Sequence, residues 1–266
     1  LRELLLLLPF NDFDAVETCF QRHGTEIAAV ILEPISLNTG CVSPSAGFLE
    51  TLRRHCDAAG ALLIFDEVLT GFRVAYGGAT ELFGVRPDLV CLGKALGCGM
   101  PVAALAGRAE CMNVLSPVGP VEMAGTNTGR LMTVLGTLAA LQQLRREGFY
   151  RRLRTLNDRM VAGCRQLFAR YGVPAYVEGY GGRIGIHIGS EQRPVNYSDV
   201  VAMWNEAYHL ACFRKFLAQK ALFGFLLPLS TCPEPVTLSA AHTEAEIDET
   251  LSRLEDVLKT TPYHGE

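Results

Sequence analysis

The chain has 266 residues, is 49% hydrophobic and carries a formal net charge of −4 at pH 7. That length can bury one large core or two smaller ones, and the acidic balance argues against a nucleic-acid partner. The densest basic cluster, Arg145-Arg146 through Arg151-Arg152 and Arg154, falls at a helix junction and reads as a solvated face. The leucine run Leu4 to Leu8 is far too short to span a membrane and ends at Pro9, so it reads as a buried strand, and no membrane partner is expected. Nine cysteines, an odd number without a Cys-x-x-Cys pair, read as reduced cytoplasmic thiols rather than a disulfide framework or a metal site.

In chain order, Ile27 to Glu33 is a continuous apolar run that reads as a strand. Phe48, Leu52, Cys56 and Ala59 then fall on one helical face, which Gly60 stops. Leu62 to Phe65, Leu89 to Leu92 and Val102 to Ala106 repeat a short buried pattern between Pro-Asp and Gly-rich loops, the pattern of a mostly parallel sheet covered by helices. The fold class is therefore α/β. After Gly148 the pattern changes. Leu153, Leu156, Met160, Leu167 and Tyr171 line a long amphipathic helix, strands are expected at Ala175 to Tyr180 and Arg183 to Ile188, and one helix at about Val200 to Gln219. Thr243 and Glu246 form a capping box that opens a last helix, whose Ile247, Leu251, Leu254 and Leu258 face a core. Two domains are expected, 1–147 and an α+β domain at 148–266.

Two stretches carry chemistry. Asp66 and Glu67 close one apolar run, and Lys94 lies in the glycine-flanked loop Gly93-Lys94-Ala95-Leu96-Gly97 after another. A loop lysine can bond the aldehyde of pyridoxal 5'-phosphate as an imine, and a carboxylate at the end of a buried strand can keep the pyridine nitrogen protonated. The pair therefore reads as a pyridoxal phosphate site with Lys94 and Asp66 catalytic. Asn38, Asp66 and Lys94 are evenly spaced, each just after an apolar run, where ligands collect at the carboxyl ends of parallel strands.

At Ile27 to Pro34, Leu63 to Val68, Thr70-Gly71-Phe72-Arg73 and Ala124-Gly125-Thr126 the chain resembles the class III aminotransferases, most closely their glutamate-1-semialdehyde aminomutase branch. The resemblance runs from Leu8-Pro9-Phe10-Asn11-Asp12 to Ala241-His242-Thr243-Glu244 and weakens between about Gly181 and Gly224. It implies the aspartate-aminotransferase-like fold of pyridoxal-phosphate-dependent transferases. It also implies that Val68 packs on one face of the cofactor ring, that Asn38 bonds its phenolic oxygen, and that Gly125 and Thr126 reach the cofactor phosphate of a neighbouring subunit. A homodimer follows from that last role. Asn38 in its Leu-Asn-Thr-Gly turn is equally readable as a plain turn residue, and Glu234, aligned with an acidic residue near the substrate, as a solvent-facing loop glutamate.

The chain departs from the family pattern at Arg130-Leu131, where Asn-Pro is common, at Cys98 in the glycine-rich loop, and at Glu122, where an aromatic is common. A carboxylate at Glu122 would repel an acidic substrate. Family members carry a long part before the equivalent of Leu8-Pro9. The chain is therefore expected to be the C-terminal portion with an incomplete large domain, binding cofactor weakly and not turning over by itself. Three functions follow: an aminomutase acting on a small amino-carbonyl substrate, a transaminase for an amine, β-amino acid or amino sugar, or an inactive remnant that serves as a dimerisation module.

Overall fold

The computed structural model describes residues 4–126, 128–219, 228–229, 232–233 and 235–264. It divides into two compact units, Leu1–Pro34 with Pro44–Glu147, and Ile35–Ser43 with Gly148–Glu266.

The first unit contains α1 (Phe13–His23), β1 (Ala29–Leu32), α2 (Phe48–Ala59), β2 (Leu62–Glu67), α3 (Gly78–Phe83), β3 (Leu89–Leu92), β4 (Ala104–Gly107), α4 (Ala109–Met112) and α5 (Leu131–Leu144). The four strands form one sheet in the order β1-β2-β3-β4. Pairing is parallel between β1 and β2 and between β2 and β3, and antiparallel between β3 and β4, so the expectation of a mostly parallel sheet holds. Side chains alternate across β2, and Leu63 and Phe65 point into a core with Phe48, Leu49, Leu52 and Cys56 of α2. Gly60 ends α2 in the left-handed conformation, as its position after the last apolar residue predicts. Leu4 to Leu8 are exposed and belong to no strand, which corrects the buried-strand reading. An apolar run becomes a strand only where another strand takes up its N–H and C=O groups, and none of the described strands pairs with this one.

The second unit contains α6 (Phe149–Arg170), β5 (Ala175–Tyr180), β6 (Arg183–Ile188), α7 (Tyr197–Met203), α8 (Glu206–Ala218), the short pair β7 (Pro228–Leu229) and β8 (Cys232–Pro233), β9 (Val236–Thr237) and α9 (Glu244–Thr260). Strands β5, β6 and β9 pair antiparallel, and β6 is buried along its whole length beneath a core drawn from α6, α8 and α9. The capping box at Thr243 and Glu246 is present. The single helix expected from Val200 to Gln219 is two helices. The chain turns at Trp204 and Asn205, where Asn205 Oδ1 caps α8 by accepting the Tyr208 N–H at 3.0 Å. The segment Ile35–Ser43 packs in this unit. His187 Nε2 donates to the Gly40 carbonyl at 2.7 Å, and Ser43 Oγ donates to Glu178 at 2.9 Å.

Candidate functional site

The carboxyl ends of β2 and β3 place two of the expected site residues on adjacent strands. Asp66 is the penultimate residue of β2 and stands opposite Cys91 in the parallel register. Lys94 follows β3 after Gly93 and opens a single 3-10 turn, Lys94–Leu96. Alternation along β2 sends Leu63, Phe65 and Glu67 to the buried face and leaves Asp66 half-buried on the other. Asp66 Oδ1 accepts the Val68 N–H at 3.1 Å, and Oδ2 has no partner among the described residues. Burial, and then the Asp66 charge, push the Cys91 thiol up, so Cys91 is a neutral neighbour.

Lys94 is exposed, makes no ion pair among the described residues, and holds φ at +41°, a left-handed conformation that costs free energy in a residue with a side chain. Its loop leaves little choice of residue. A Cβ on Gly93 would stand 3.4 Å from Val68 Cγ1, so Val68 packs over the peptide leading into the lysine. A Cβ on Gly97 would collide with the Met100 carbonyl. Cys98, also at positive φ, is exposed and its thiol donates to the Ala95 carbonyl at 3.3 Å.

The surroundings of Glu67 are missed by reasoning from sequence, because its partners lie up to 13 residues away. Only 1% exposed, its carboxylate accepts from Thr70 Oγ1 at 2.9 Å, Ala79 N at 2.6 Å, Thr80 N at 3.1 Å and Thr80 Oγ1 at 2.9 Å. The available signal was the carboxylate itself, since one that follows a buried apolar run must find donors. The opposite end of the sheet is tied by Asp88, which accepts from Leu63 N, Arg53 and Arg108.

Asn38 is exposed in a turn of the second unit, where Thr39 Oγ1 donates to the Ser36 carbonyl at 3.1 Å. Gly125 and Thr126 form an exposed turn of the first unit in which the Gly125 carbonyl accepts the Thr128 N–H at 2.9 Å, and Glu122 is exposed just before it. Glu234 lies outside the described residues. Among the described residues, no group of three or more His, Cys, Asp or Glu side chains could hold a metal ion, and no helix is long and apolar enough to cross a membrane.

An amine nucleophile and a carboxylate with an open oxygen, side by side at the carboxyl ends of parallel strands, can together hold a ligand with an aldehyde and a basic nitrogen. The family model for class III aminotransferases matches residues 9–258. The chain belongs to the class III aminotransferases. It is 44% identical over 246 residues to a glutamate-1-semialdehyde 2,1-aminomutase of Thermomicrobium roseum, covering 92% of this chain and 56% of that protein. A protein of the same name from Persephonella marina is 41% identical over 256 residues, covering 96% of this chain and 58% of the relative. The chain thus spans little more than half the length of these two class III relatives. An omega-transaminase of Sphaerobacter thermophilus superposes with a TM-score of 0.84 at 31% identity, over 96% of this chain and 57% of that one. The α/β fold is that of these transaminases.

Proposed function

We propose that this chain carries the lysine and the ring-nitrogen carboxylate of a pyridoxal 5'-phosphate enzyme that converts glutamate-1-semialdehyde to 5-aminolevulinate, a step of tetrapyrrole biosynthesis. The observation that carries the reading is the pair at the ends of β2 and β3: among the described residues Lys94 has no ion-pair partner, and Asp66 has one carboxylate oxygen open. The two relatives above 40% identity favour the aminomutase form.

The residues fit the cofactor. A carboxylate whose Oδ2 lacks a donor among the described residues suits a protonated ring nitrogen, and an exposed lysine amine suits an aldehyde. Bound pyridoxal phosphate supplies an electron sink for negative charge developing on a substrate carbon. Asp66 would hold the proton on the ring nitrogen through the attraction of opposite charges. Lys94 Nζ would hold the cofactor and, when free, could move a proton as a general base and acid. Val68 covers one ring face. Gly125 and Thr126 would bind the phosphate of the other subunit in a cytoplasmic homodimer. Glu122 would lie near the substrate.

A second reading, a transaminase acting on an amine, β-amino acid or amino sugar, is favoured by Glu122 and Arg130, which differ from the usual pattern beside the phosphate turn. One experiment tests the site and the substrate. Pyridoxal phosphate is added to the protein, the visible absorption band is reduced with borohydride, and the labelled peptide is mapped. Labelling on Lys94 is expected, with 5-aminolevulinate formed from glutamate-1-semialdehyde by a protein of the relatives' full length. Labelling on another lysine overturns the site, and turnover of other amino donors alone favours the transaminase. Absence of any band leaves the inactive dimerisation module.

A further inference from the structure

We propose that Glu67 is a positioning residue: its buried carboxylate folds the segment 68–80 back over the ends of β2 and β3 and so fixes Asp66, Val68 and the approach to Lys94. The proposal rests on the reading of Asp66 and Lys94 given above.

Asp66 and Glu67 are neighbours on opposite faces of β2. Asp66 is open toward the site, whereas Glu67 is buried and makes no ion pair among the described residues. A buried carboxylate without a cation is costly unless donors surround it. Four do, two from backbone N–H groups and two from hydroxyls, and all come from the segment that leaves β2. The packing at this point is backbone-tight. Gly78, at φ +66°, has no room for a Cβ because the Glu67 carboxylate occupies that space. A Cβ on Gly71 would stand 2.6 Å from Leu92 Cδ2 and 2.7 Å from the Glu67 carbonyl, which also accepts the Gly71 N–H at 2.8 Å. The segment is therefore pressed onto the last residue of β3.

The consequence reaches the site through Val68. Its N–H donates to Asp66 Oδ1, which sets the carboxylate's orientation, and its side chain lies over Gly93, the residue before Lys94. Anything that loosens the segment releases both contacts. Side chains that orient a functional group from behind commonly matter nearly as much as the group itself.

The test compares Glu67→Gln, Thr80→Val and Thr80→Ser with the unaltered chain and with Asp66→Asn. The dissociation constant for pyridoxal phosphate is read from the visible band and its pH dependence, and amide exchange at Ala79 and Thr80 is followed without cofactor. Glu67→Gln turns one acceptor into a donor facing N–H or O–H groups, so the dissociation constant should rise by about tenfold or more, with faster exchange. Thr80→Val, which removes one hydroxyl at constant shape, should move both in the same direction, and Thr80→Ser should restore them. If Glu67→Gln fails to fold, the Thr80 pair decides. A chain that is not labelled at Lys94, or is unaffected by Asp66→Asn, overturns the cofactor reading and this proposal with it. Normal labelling, an altered Asp66→Asn, and Glu67→Gln and Thr80→Val that bind like the unaltered chain overturn the positioning role alone.

Discussion

The carbonyl oxygen of Gly40 occupies the space where a side chain on Gly185 would begin, so the turn 35–43 and the middle of β6 touch backbone to backbone. His187, two residues along the same face of β6, donates to that same carbonyl, and the Cys41 thiol donates to the Arg183 carbonyl at 3.7 Å. Gly185→Ala must push the turn off the strand and break the His187 contact. Overpacking of this kind costs about 1–3 kcal/mol, and the lost buried hydrogen bond adds to it. A lowered urea midpoint with an unchanged slope is the expected result, and an unchanged midpoint would show that the turn shifts freely.

The same contact makes the second unit sensitive to acid. Burial pushes His187 down to about 4 from an ordinary value of 6.5, with the Gly40 carbonyl opposing and His209 adding to the shift. Burial likewise pushes His209 down to about 4, and its ring lies 4.2 Å from that of Trp204. A histidine held neutral in the native state contributes its full stability above the unfolded value. That stability is lost as pH falls from 6.5 toward 4, because the unfolded chain binds the proton first. Each histidine should remove about 2 kcal/mol between pH 7.5 and pH 5. His187→Gln keeps a donor for Gly40 and does not titrate, so the difference between unfolding free energies at the two pH values should shrink by about that amount. An equal difference in the variant would assign the acid sensitivity to other groups.

How much of this was legible in the sequence depends on how far apart the partners lie. Strands β3, β5 and β6 are bounded by Pro-Asp or Gly on the chain itself, and their limits follow from local pattern. Gly60 and the Thr243 capping box are local signals too. The break at Trp204 and Asn205 was not legible, because helical spacing continues across it and only the Asn205 cap shows the restart. The leucine run misled because apolar character says nothing about a pairing edge. Asp66 and Lys94 were legible as a pair at strand ends. The packing of Gly40 against β6 and the donors around Glu67 were not, since they join residues remote in sequence that no periodicity connects.

Asp88 offers a test of what holds the sheet at the end away from the site. Its carboxylate accepts the Leu63 N–H at 2.7 Å and guanidinium donors from Arg53 at 2.7 Å and Arg108 at 2.8 Å. Burial pushes its pKa up, but these three partners outweigh burial and leave the carboxyl below its usual value. Asp88→Ala strands the Leu63 N–H and removes a partner from the partly buried Arg53, so a loss of about 3 kcal/mol is expected at neutral pH. Asp88→Asn keeps one acceptor and should lose less. A depressed carboxyl contributes stability above its unfolded value and loses it as pH falls through the lower native one. The gap between the unaltered chain and Asp88→Asn should therefore close only at strongly acidic pH, well below the histidine window. Equal stability of both variants with the unaltered chain at neutral pH would remove Asp88 as a tie.

The last prediction concerns Asp66. Asn keeps the shape and can still accept the Val68 N–H, so neither β2 nor its register with β3 should change. What is lost is the charge that would hold the proton on the cofactor's ring nitrogen, and with it the power of the ring to accept negative charge from the substrate carbon. Removing one fixed electrostatic stabiliser from an active site commonly slows turnover by about 10²- to 10³-fold, and in a protein of the relatives' full length kcat should fall by that order while some cofactor still binds. Its absorption band should gain a pH dependence, because a ring nitrogen no longer held protonated by a carboxylate titrates. Turnover near that of the unaltered protein, with an unchanged band, would mean that the open oxygen of Asp66 faces no ring nitrogen and that another group sets the cofactor's protonation.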